Sequence, residues 1–385
     1  MKRVYFDHAA STPVDPRVLA AMMPFFAEQY GNPSELHELG RFARQAVDRA
    51  RAEVAEALGA SAKEIVFTSG GTEADNLALF GYLQRFGSGH LLISAIEHPA
   101  IQEAARALGR QGWAVDEVPV DGDGVVDPHA YERAFRGDTR LVSIMHANNV
   151  VGTVQPIAEL ARVAHDHGAA FHTDAVQTVG SLPFTVGDLG VDMLSLSGHK
   201  LYGPKGTGAL YVKRGTRLAP LLHGGGHERR LRSGTENVPG IVGLGAAITL
   251  ARAMLAETQP RLEAMRDRLA TGVLARIPAT RYLGHATQRL PGNAAITVRF
   301  VEGESMLLRL DAEGFMVSSG SACASGSLEP SHVIMALGLG AEEAHGSIRV
   351  TLGRENTDDD VDAFLEAFPP IVEKLRQMSP LYVRG

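Results

Sequence analysis

The sequence predicts an α/β protein, with a large domain built on a mostly parallel sheet flanked by helices and a smaller α+β domain. Three observations carry this reading. Short, almost wholly apolar runs alternate with helical periodicity as far as Val212. Polar clusters rich in Gly, Ser, Thr and His follow directly after several of those runs. A long helical pattern from about Val238 to Ile277 then leads into a second set of short strands. Strands buried on both faces read as continuous apolar runs, and open α/β sheets place their ligands at strand ends.

Taken in order, Leu36, Leu39, Ala43, Ala46/Val47, Ala50, Val54 and Leu58 fall at helical spacing, with Gly59 as a stop signal. Ile65-Val66-Phe67-Thr68 is a strand, Ser69 to Glu73 a polar turn, and the residues through Phe86 a helix. Leu91–Ile93, Leu141–Met145, Ala169–His172, Met193–Leu196 and Ala209–Val212 continue the strands, with helical patterns such as Ile157 to His167 between most of them. The long pattern after Val238 should break near Pro260. Beyond it, Ala294–Phe300, Phe315–Ser318 and Ser347–Leu352 read as strands, and a terminal helix starts at Thr357. The Pro369-Pro370 pair should kink or interrupt that helix.

A chain of 385 residues with 45% hydrophobic content can bury a large core. Its 37 basic and 44 acidic residues give a net charge of −7, which favours neither nucleic acid nor a membrane surface, although a local basic patch stays open. The start, Met1 to Asp7, holds no apolar run of secretory type, and no stretch reaches the roughly 18 uninterrupted apolar residues of a membrane span. A single cysteine, Cys323, excludes an internal disulfide. A cytoplasmic protein is the simple expectation. His165 and His167, two apart on a helix, make a poor metal pair, and with no cysteine cluster or HExxH no metal is expected.

Three segments suit a phosphorylated, electron-withdrawing cofactor. Ser69-Gly70-Gly71-Thr72-Glu73, between strand and helix, offers glycines, free N–H groups and a hydroxyl to an anion. It reads equally as a plain turn with Thr72 as N-cap. It is neither a dinucleotide nor a P-loop fingerprint. Asp174, at the end of Phe171-His172-Thr173-Asp174, is a carboxylate that can hold a heterocyclic nitrogen protonated, or simply a capping residue. Gln177 follows one turn later. Lys200, among the small and rigid residues Ser197-Gly198-His199-Lys200-Leu201-Tyr202-Gly203-Pro204, suits a held, imine-forming lysine, whereas Lys205 suits a solvated loop. Pyridoxal phosphate needs all three parts, and the combination is far more specific than any one.

With these motifs the chain resembles the cysteine desulfurases of the nitrogen-fixation and iron–sulfur cluster assembly type, class-V aminotransferase-like proteins of pyridoxal-phosphate fold type I. The resemblance rests also on Glu97-His98-Pro99-Ala100, Gly224-Gly225-Gly226-His227-Glu228-Arg229, Arg232 to Asn237 and Ser318-Ser319-Gly320-Ser321-Ala322-Cys323. It runs from Tyr5 to about Asp362 with the motifs in family order. It implies a cofactor domain over residues 13–257, and a small domain of residues 1–12 and 258–385 carrying the cysteine loop. It further implies that Lys200 bonds pyridoxal 5′-phosphate, that His98 stacks on the ring and moves protons, and that Asp174 and Gln177 meet the ring nitrogen and phenolic oxygen. Gly71, Thr72, Ser197 and His199 should hold the phosphate, with Thr235 reaching it from the second subunit of a homodimer. Asn149 and Arg349 should position L-cysteine, Arg349 by a two-pronged contact to its carboxylate. The chain departs from the family after the paired asparagines, where Val150 stands in place of the usual acid.

Cys323 lies in Ser318-Ser319-Gly320-Ser321-Ala322-Cys323-Ala324-Ser325-Gly326-Ser327, a stretch without large apolar anchors, so a mobile surface loop with a reachable thiol is expected. By resemblance, its thiolate takes sulfur from L-cysteine as a persulfide and alanine leaves, with His98 the candidate proton acceptor. The sulfur would pass to an iron–sulfur scaffold protein or another acceptor. The competing readings are a selenocysteine lyase or short-loop desulfurase, which carry the cysteine in a different context. An aminotransferase would leave Cys323 without a role, and a non-catalytic sulfur-relay scaffold would leave Lys200 and Asp174 without one.

Overall fold

The computed structural model describes residues 3–319, 329–380 and 382. Twelve strands appear among them: β1 Val4–Tyr5, β2 Ile65–Thr68, β3 His90–Ser94, β4 Ala114–Val118, β5 Thr139–Ser143 and β6 Ala170–Asp174, then β7 Met193–Ser197, β8 Gly208–Val212, β9 Thr280–Leu283, β10 Asn293–Val298, β11 Phe315–Met316 and β12 Ser347–Thr351. The main sheet has the order β2-β8-β7-β6-β5-β3-β4. Only β8 runs against its neighbours, so the sheet is mostly parallel, as expected.

The apolar runs of these strands serve two faces. In β3, Leu91 and Ile93 join one core cluster and Leu92 the other, the alternation that a pleated strand imposes. Helices cover both sides. α1 (Glu38–Leu58) buries Ala43, Val47, Ala50, Val54 and Leu58 on one face and stops at Gly59, whose φ of 66° is the left-handed turn glycine favours. α2 (Gly71–Leu83) and α3 (Pro99–Arg110) contribute to the opposite face. α4 (Ile157–Asp166) buries Ile157, Leu160, Ala161 and Ala164 on the α1 side. A separate core gathers around β10 and β12, and a three-stranded sheet β12-β10-β9 underlies it.

Two expected helix breaks do not occur. α5 runs unbroken from Val238 to Arg276 through Pro260. Proline removes one i→i−4 bond, but Ala256, whose carbonyl loses its donor, is exposed and can turn to water. Packing against α1 supports the helix before the proline and packing against the terminal helix supports it after. α5 also has the length and composition of a membrane span, yet half of its most apolar window is buried inside the protein.

The terminal helix starts as predicted, with Thr357 as N-cap of a reciprocal box with Asp360. It runs from Asp358 to Met378 without interruption at Pro369-Pro370. The carbonyl that Pro369 leaves without its helical donor is that of Leu365, and Arg276 Nη1 donates to it at 2.6 Å. The side chain thus replaces the lost backbone bond, while Val361, Phe364, Leu365, Phe368 and Val372 hold the helix on the second core.

Candidate active site

Because all main-sheet strands except β8 run the same way, the polar residues following β2, β3, β5, β6 and β7 collect on one edge. There they line a cavity of about 340 Å³, within the range of small-molecule sites.

One end is the turn from β2 into α2. The N-cap is Gly70, which has no side chain to cap the helix, so Thr72 is not the cap, and the first turn of the helix borders the opening without a side-chain cap. Gly70 has φ of 151°, open to glycine, and a Cβ on Gly71 would meet Val176 Cγ2 at 2.8 Å. Glu73 closes the turn by accepting from Ser69 N–H at 2.8 Å, and Arg232 Nε donates to Glu73 at 2.9 Å. Ser197 and His199 complete the wall. Burial first, then Lys200 and Lys205, pushes His199 down to about 4, so its ring is neutral near pH 7.

The base is Asp174, at the end of β6 and 5% exposed. Its Oδ1 accepts from Val176 N–H at 2.9 Å. Burial raises its carboxyl, with His98, that N–H and Lys200 pulling the other way. Asp75, one turn into α2, also lines the cavity, and its buried Oδ1 has no hydrogen-bond partner among the described residues. His172 Nε2 lies 3.7 Å from Asp75 Oδ1, while its two nitrogens meet Ser143 Oγ at 2.8 Å and Ser195 Oγ at 2.9 Å. Burial holds His172 near 3, which keeps it neutral and gives Asp75 no cation. Burial and the nearby Asp174 therefore raise Asp75 well above the carboxylate range.

Lys200 ends the short 3₁₀ turn after β7. Its Nζ donates to the carbonyls of Ala9 and Ala10, the latter at 2.8 Å, and Gln177 Nε2 donates to Ala9 O at 3.0 Å.

His98 is the N-cap of α3, its Nδ1 accepting from Ala100 N–H at 3.1 Å. A neutral ring held this way carries its proton on Nε2, which makes it a donor there. Accepting a proton at Nε2 requires the ring to leave Ala100. Burial lowers His98, and Lys200 and His332 add to this against Asp174.

The preceding Glu97 is fully buried. Its Oε1 accepts from Ser94 Oγ at 2.5 Å and Met145 N–H at 2.9 Å, and burial lifts it to about 8. The folded chain keeps this proton up to about pH 8, while the unfolded chain loses it near the ordinary 4.5. Across that window the unfolded state binds fewer protons, so stability falls as pH rises, by at most about 1.4 kcal/mol per unit. Glu97→Gln is neutral at every pH and should remove that slope. Urea midpoints of variant and parent should diverge from pH 5 to pH 8, and parallel profiles would assign the slope elsewhere.

On the far wall stand Asn149 and Arg349. Asn148 shapes the turn, with Oδ1 accepting from Val150 N–H at 2.8 Å and Val151 N–H at 2.9 Å. Val150 is buried in a small apolar cluster with Val333 and Ile334. These two belong to α6 (His332–Ala336). An acid at 150 would place a carboxylate among these apolar side chains, which gives the departure from the family pattern a local reason. Arg349, on β12, donates from Nη1 to Asn149 O at 3.1 Å and from Nη2 to Asp7 Oδ1 at 2.8 Å.

The cavity thus brings together Gly71, Thr72, His98, Asn149, Asp174, Gln177, Ser197, His199, Lys200 and Arg349. Thr235 is exposed and does not line the cavity of its own chain. Cys323 lies outside the described residues. Sequence reasoning missed Asp7, Asp75 and the Ala9 and Ala10 carbonyls. Asp75 carried a signal, being a lone acid between Ala74 and the apolar Leu77 and Ala78 on one helical face. The described residues contain no group of three or more metal-ligating side chains.

A model of the aminotransferase class-V family matches residues 4–364. A cysteine desulfurase IscS of Methanosarcina thermophila is 51% identical over 382 residues, covering 99% of this chain and 94% of that protein. Among solved structures, a NifS-like protein superposes with a TM-score of 0.91 at 39% identity, over 97% of this chain and all of that one. SspA in complex with cysteine gives 0.80 at 38%, over 90% of this chain and 98% of that one. The match is end to end, and it covers the elements that build the cavity as well as the core, so the chain belongs to the class-V aminotransferase family, within its cysteine desulfurases.

Proposed function

We propose that this protein takes sulfur from L-cysteine, places it on Cys323 as a persulfide and releases L-alanine. The observation that carries the reading is the convergence of Lys200, Asp174, His98 and Arg349 on one cavity. The family uses pyridoxal 5′-phosphate, and the residues present fit it. The N-terminus of α2 lacks a side-chain cap, a buried carboxyl sits at the base, and an amine stands at the wall. When bound, the cofactor supplies an electron sink for the charge that develops as the substrate loses its Cα proton.

The chain's own residues do the rest. Ser69 to Thr72, with Ser197 and neutral His199, would cradle the phosphate. Asp174 would hold the ring nitrogen and Gln177 the phenolic oxygen. Lys200 Nζ would hold the cofactor covalently, and its amine is placed to carry the Cα proton of the substrate. His98 would lie against the ring, and it holds a proton at Nε2. Asn149 and Arg349 orient the substrate, Arg349 through its carboxylate. The Cys323 thiolate attacks the substrate sulfur and forms the S–S bond. The electron pair of the broken Cβ–S bond goes to Cβ, which takes a proton and becomes the methyl group of alanine, so that no outside oxidant is needed.

The two described flanks of the Cys323 segment support this reading. Ser318 exchanges backbone hydrogen bonds with Arg349, and His332 Nε2 lies 3.1 Å from Glu97 O. One flank is thus tied to Arg349, which lines the cavity, and the other to the chain neighbour of His98, which also lines it. Incubation with L-cysteine should add the mass of one sulfur atom to the Cys323 peptide and form alanine in equal amount. Alanine without persulfide would sink the proposal.

The protein works as a homodimer in this reading, with Thr235 completing the partner's phosphate site. Support comes from Thr235 being exposed, and from the exposed apolar side chains Met23, Phe26, Tyr30, Leu36 and Phe42 on one stretch of chain. Residues 13–257 form the cofactor domain, and 1–12 with 258–385 the small one, a division supported by the separate core around β10 and β12. The acceptor is an iron–sulfur scaffold or another thiolation partner in the cytoplasm.

A further inference from the structure

The segment from Tyr5 to Thr12 is stitched to both walls of the cavity. Ala9 N–H donates to Thr351 Oγ1 on β12 at 2.9 Å, and Thr12 N–H to His199 O at 2.9 Å. Tyr5 Oη closes the segment on itself, lying 2.9 Å from both Asp7 O and Ser11 O and sharing its one hydrogen between them. Asp7 is therefore held from several sides, and it aims a carboxylate at Arg349.

Arg349 is 3% exposed, so its charge needs a partner inside the protein. Asp7 supplies one, and the Asn149 carbonyl takes a second N–H. Two contacts on different nitrogens fix the plane of a guanidinium. What they leave is Nε, which is buried without a hydrogen-bond partner among the described residues, although Arg349 borders the cavity. A buried donor without an acceptor is costly unless a ligand supplies one.

We propose that Asp7 is a positioning residue for the substrate. It holds the Arg349 guanidinium in the plane that presents Nε–H, with a remaining Nη hydrogen, to the carboxylate of the bound amino acid. This rests on Arg349 being the carboxylate contact proposed above. Asp7 also brings a negative charge near that carboxylate, a cost to binding that the gain in orientation must exceed. Asp7→Asn separates the two effects, because it keeps an acceptor oxygen and removes the charge.

The test uses the loaded enzyme and two amines, followed by the visible absorption of the bound cofactor. L-alanine has the carboxylate and ethylamine lacks it. Asp7→Ala should weaken L-alanine binding by about tenfold or more and leave ethylamine within about twofold. The KM for L-cysteine should rise in step, with kcat within about threefold. Asp7→Asn should show the same selectivity at a smaller size, about threefold, and it carries the test if Asp7→Ala does not fold. Equal losses for both amines would reduce Asp7 to a structural role, and no loss for L-alanine would remove it. Arg349→Gln is the control. It should erase the preference for L-alanine. If it does while Asp7→Ala does not, the Asp7 inference alone fails; if Arg349→Gln keeps the preference, the carboxylate reading fails with it.

Discussion

Cys323→Ser is expected to lower alanine formation and sulfide release in the presence of a thiol reductant by roughly a thousandfold or more, with the cofactor still bound and coloured. The chain has no second cysteine to take over the transfer. A serine hydroxyl is far less acidic than a thiol and far less nucleophilic toward sulfur, so it cannot accept the atom as a persulfide. The cavity residues are untouched by the change, and the spectrum of the loaded protein should stay that of the parent. Steady-state assays with L-cysteine, with and without reductant, measure the first part, and absorption spectra measure the second. Undiminished turnover would take Cys323 out of the reaction. Loss of turnover together with loss of cofactor would point to a folding defect, and Cys323→Ala then repeats the measurement with a smaller side chain.

Much of this site was legible in the sequence because its parts are local. A glycine turn after a β run, an acid at a strand end, and a lysine among Gly, Pro and His each carry their chemistry within a few residues. Parallel strands then bring such ends to one edge without further instruction. What stayed hidden depends on distant partners. The Asp7–Arg349 pair joins residues 342 positions apart, and nothing near Asp7 marks it as the partner of a guanidinium. Edge strand β4, Ala-Val-Asp-Glu-Val, is half-exposed and acidic, so it lacks the apolar run that revealed its neighbours. The prolines misled for a related reason. Their local cost is real, but Arg276 reaches the Leu365 carbonyl from another helix, a tertiary repair that the sequence of the terminal helix does not display. His98 was legible as a site residue, whereas its tautomer depends on the backbone N–H of Ala100, visible only in the folded cap.

Lys200→Ala is expected to abolish both the visible absorption that a lysine-bound cofactor gives and the turnover of L-cysteine, the latter by roughly 10⁴-fold or more. In the proposed reaction two functions leave with one side chain, the covalent hold on the cofactor and the carrier of the Cα proton. Among the described residues, Lys200 is the only lysine lining the cavity that holds Asp174 and Arg349. The alternative, Lys205, is exposed and borders the proposed phosphate cradle beside Thr72 and His199. Its charge can help retain a phosphate there, so Lys205→Ala should weaken cofactor retention by a modest factor and keep both the band and the chemistry. The pair of variants separates an amine placed for bonding from one placed for charge. Added alkylamines offer a further check, since a small amine diffusing into the space vacated in Lys200→Ala should restore some proton transfer, with a dependence on the amine's own basicity. If Lys200→Ala kept the parent spectrum while Lys205→Ala lost it, the reactive amine would belong to the exposed loop, and the arrangement of Asp174, Gln177 and Arg349 around Lys200 would need another purpose.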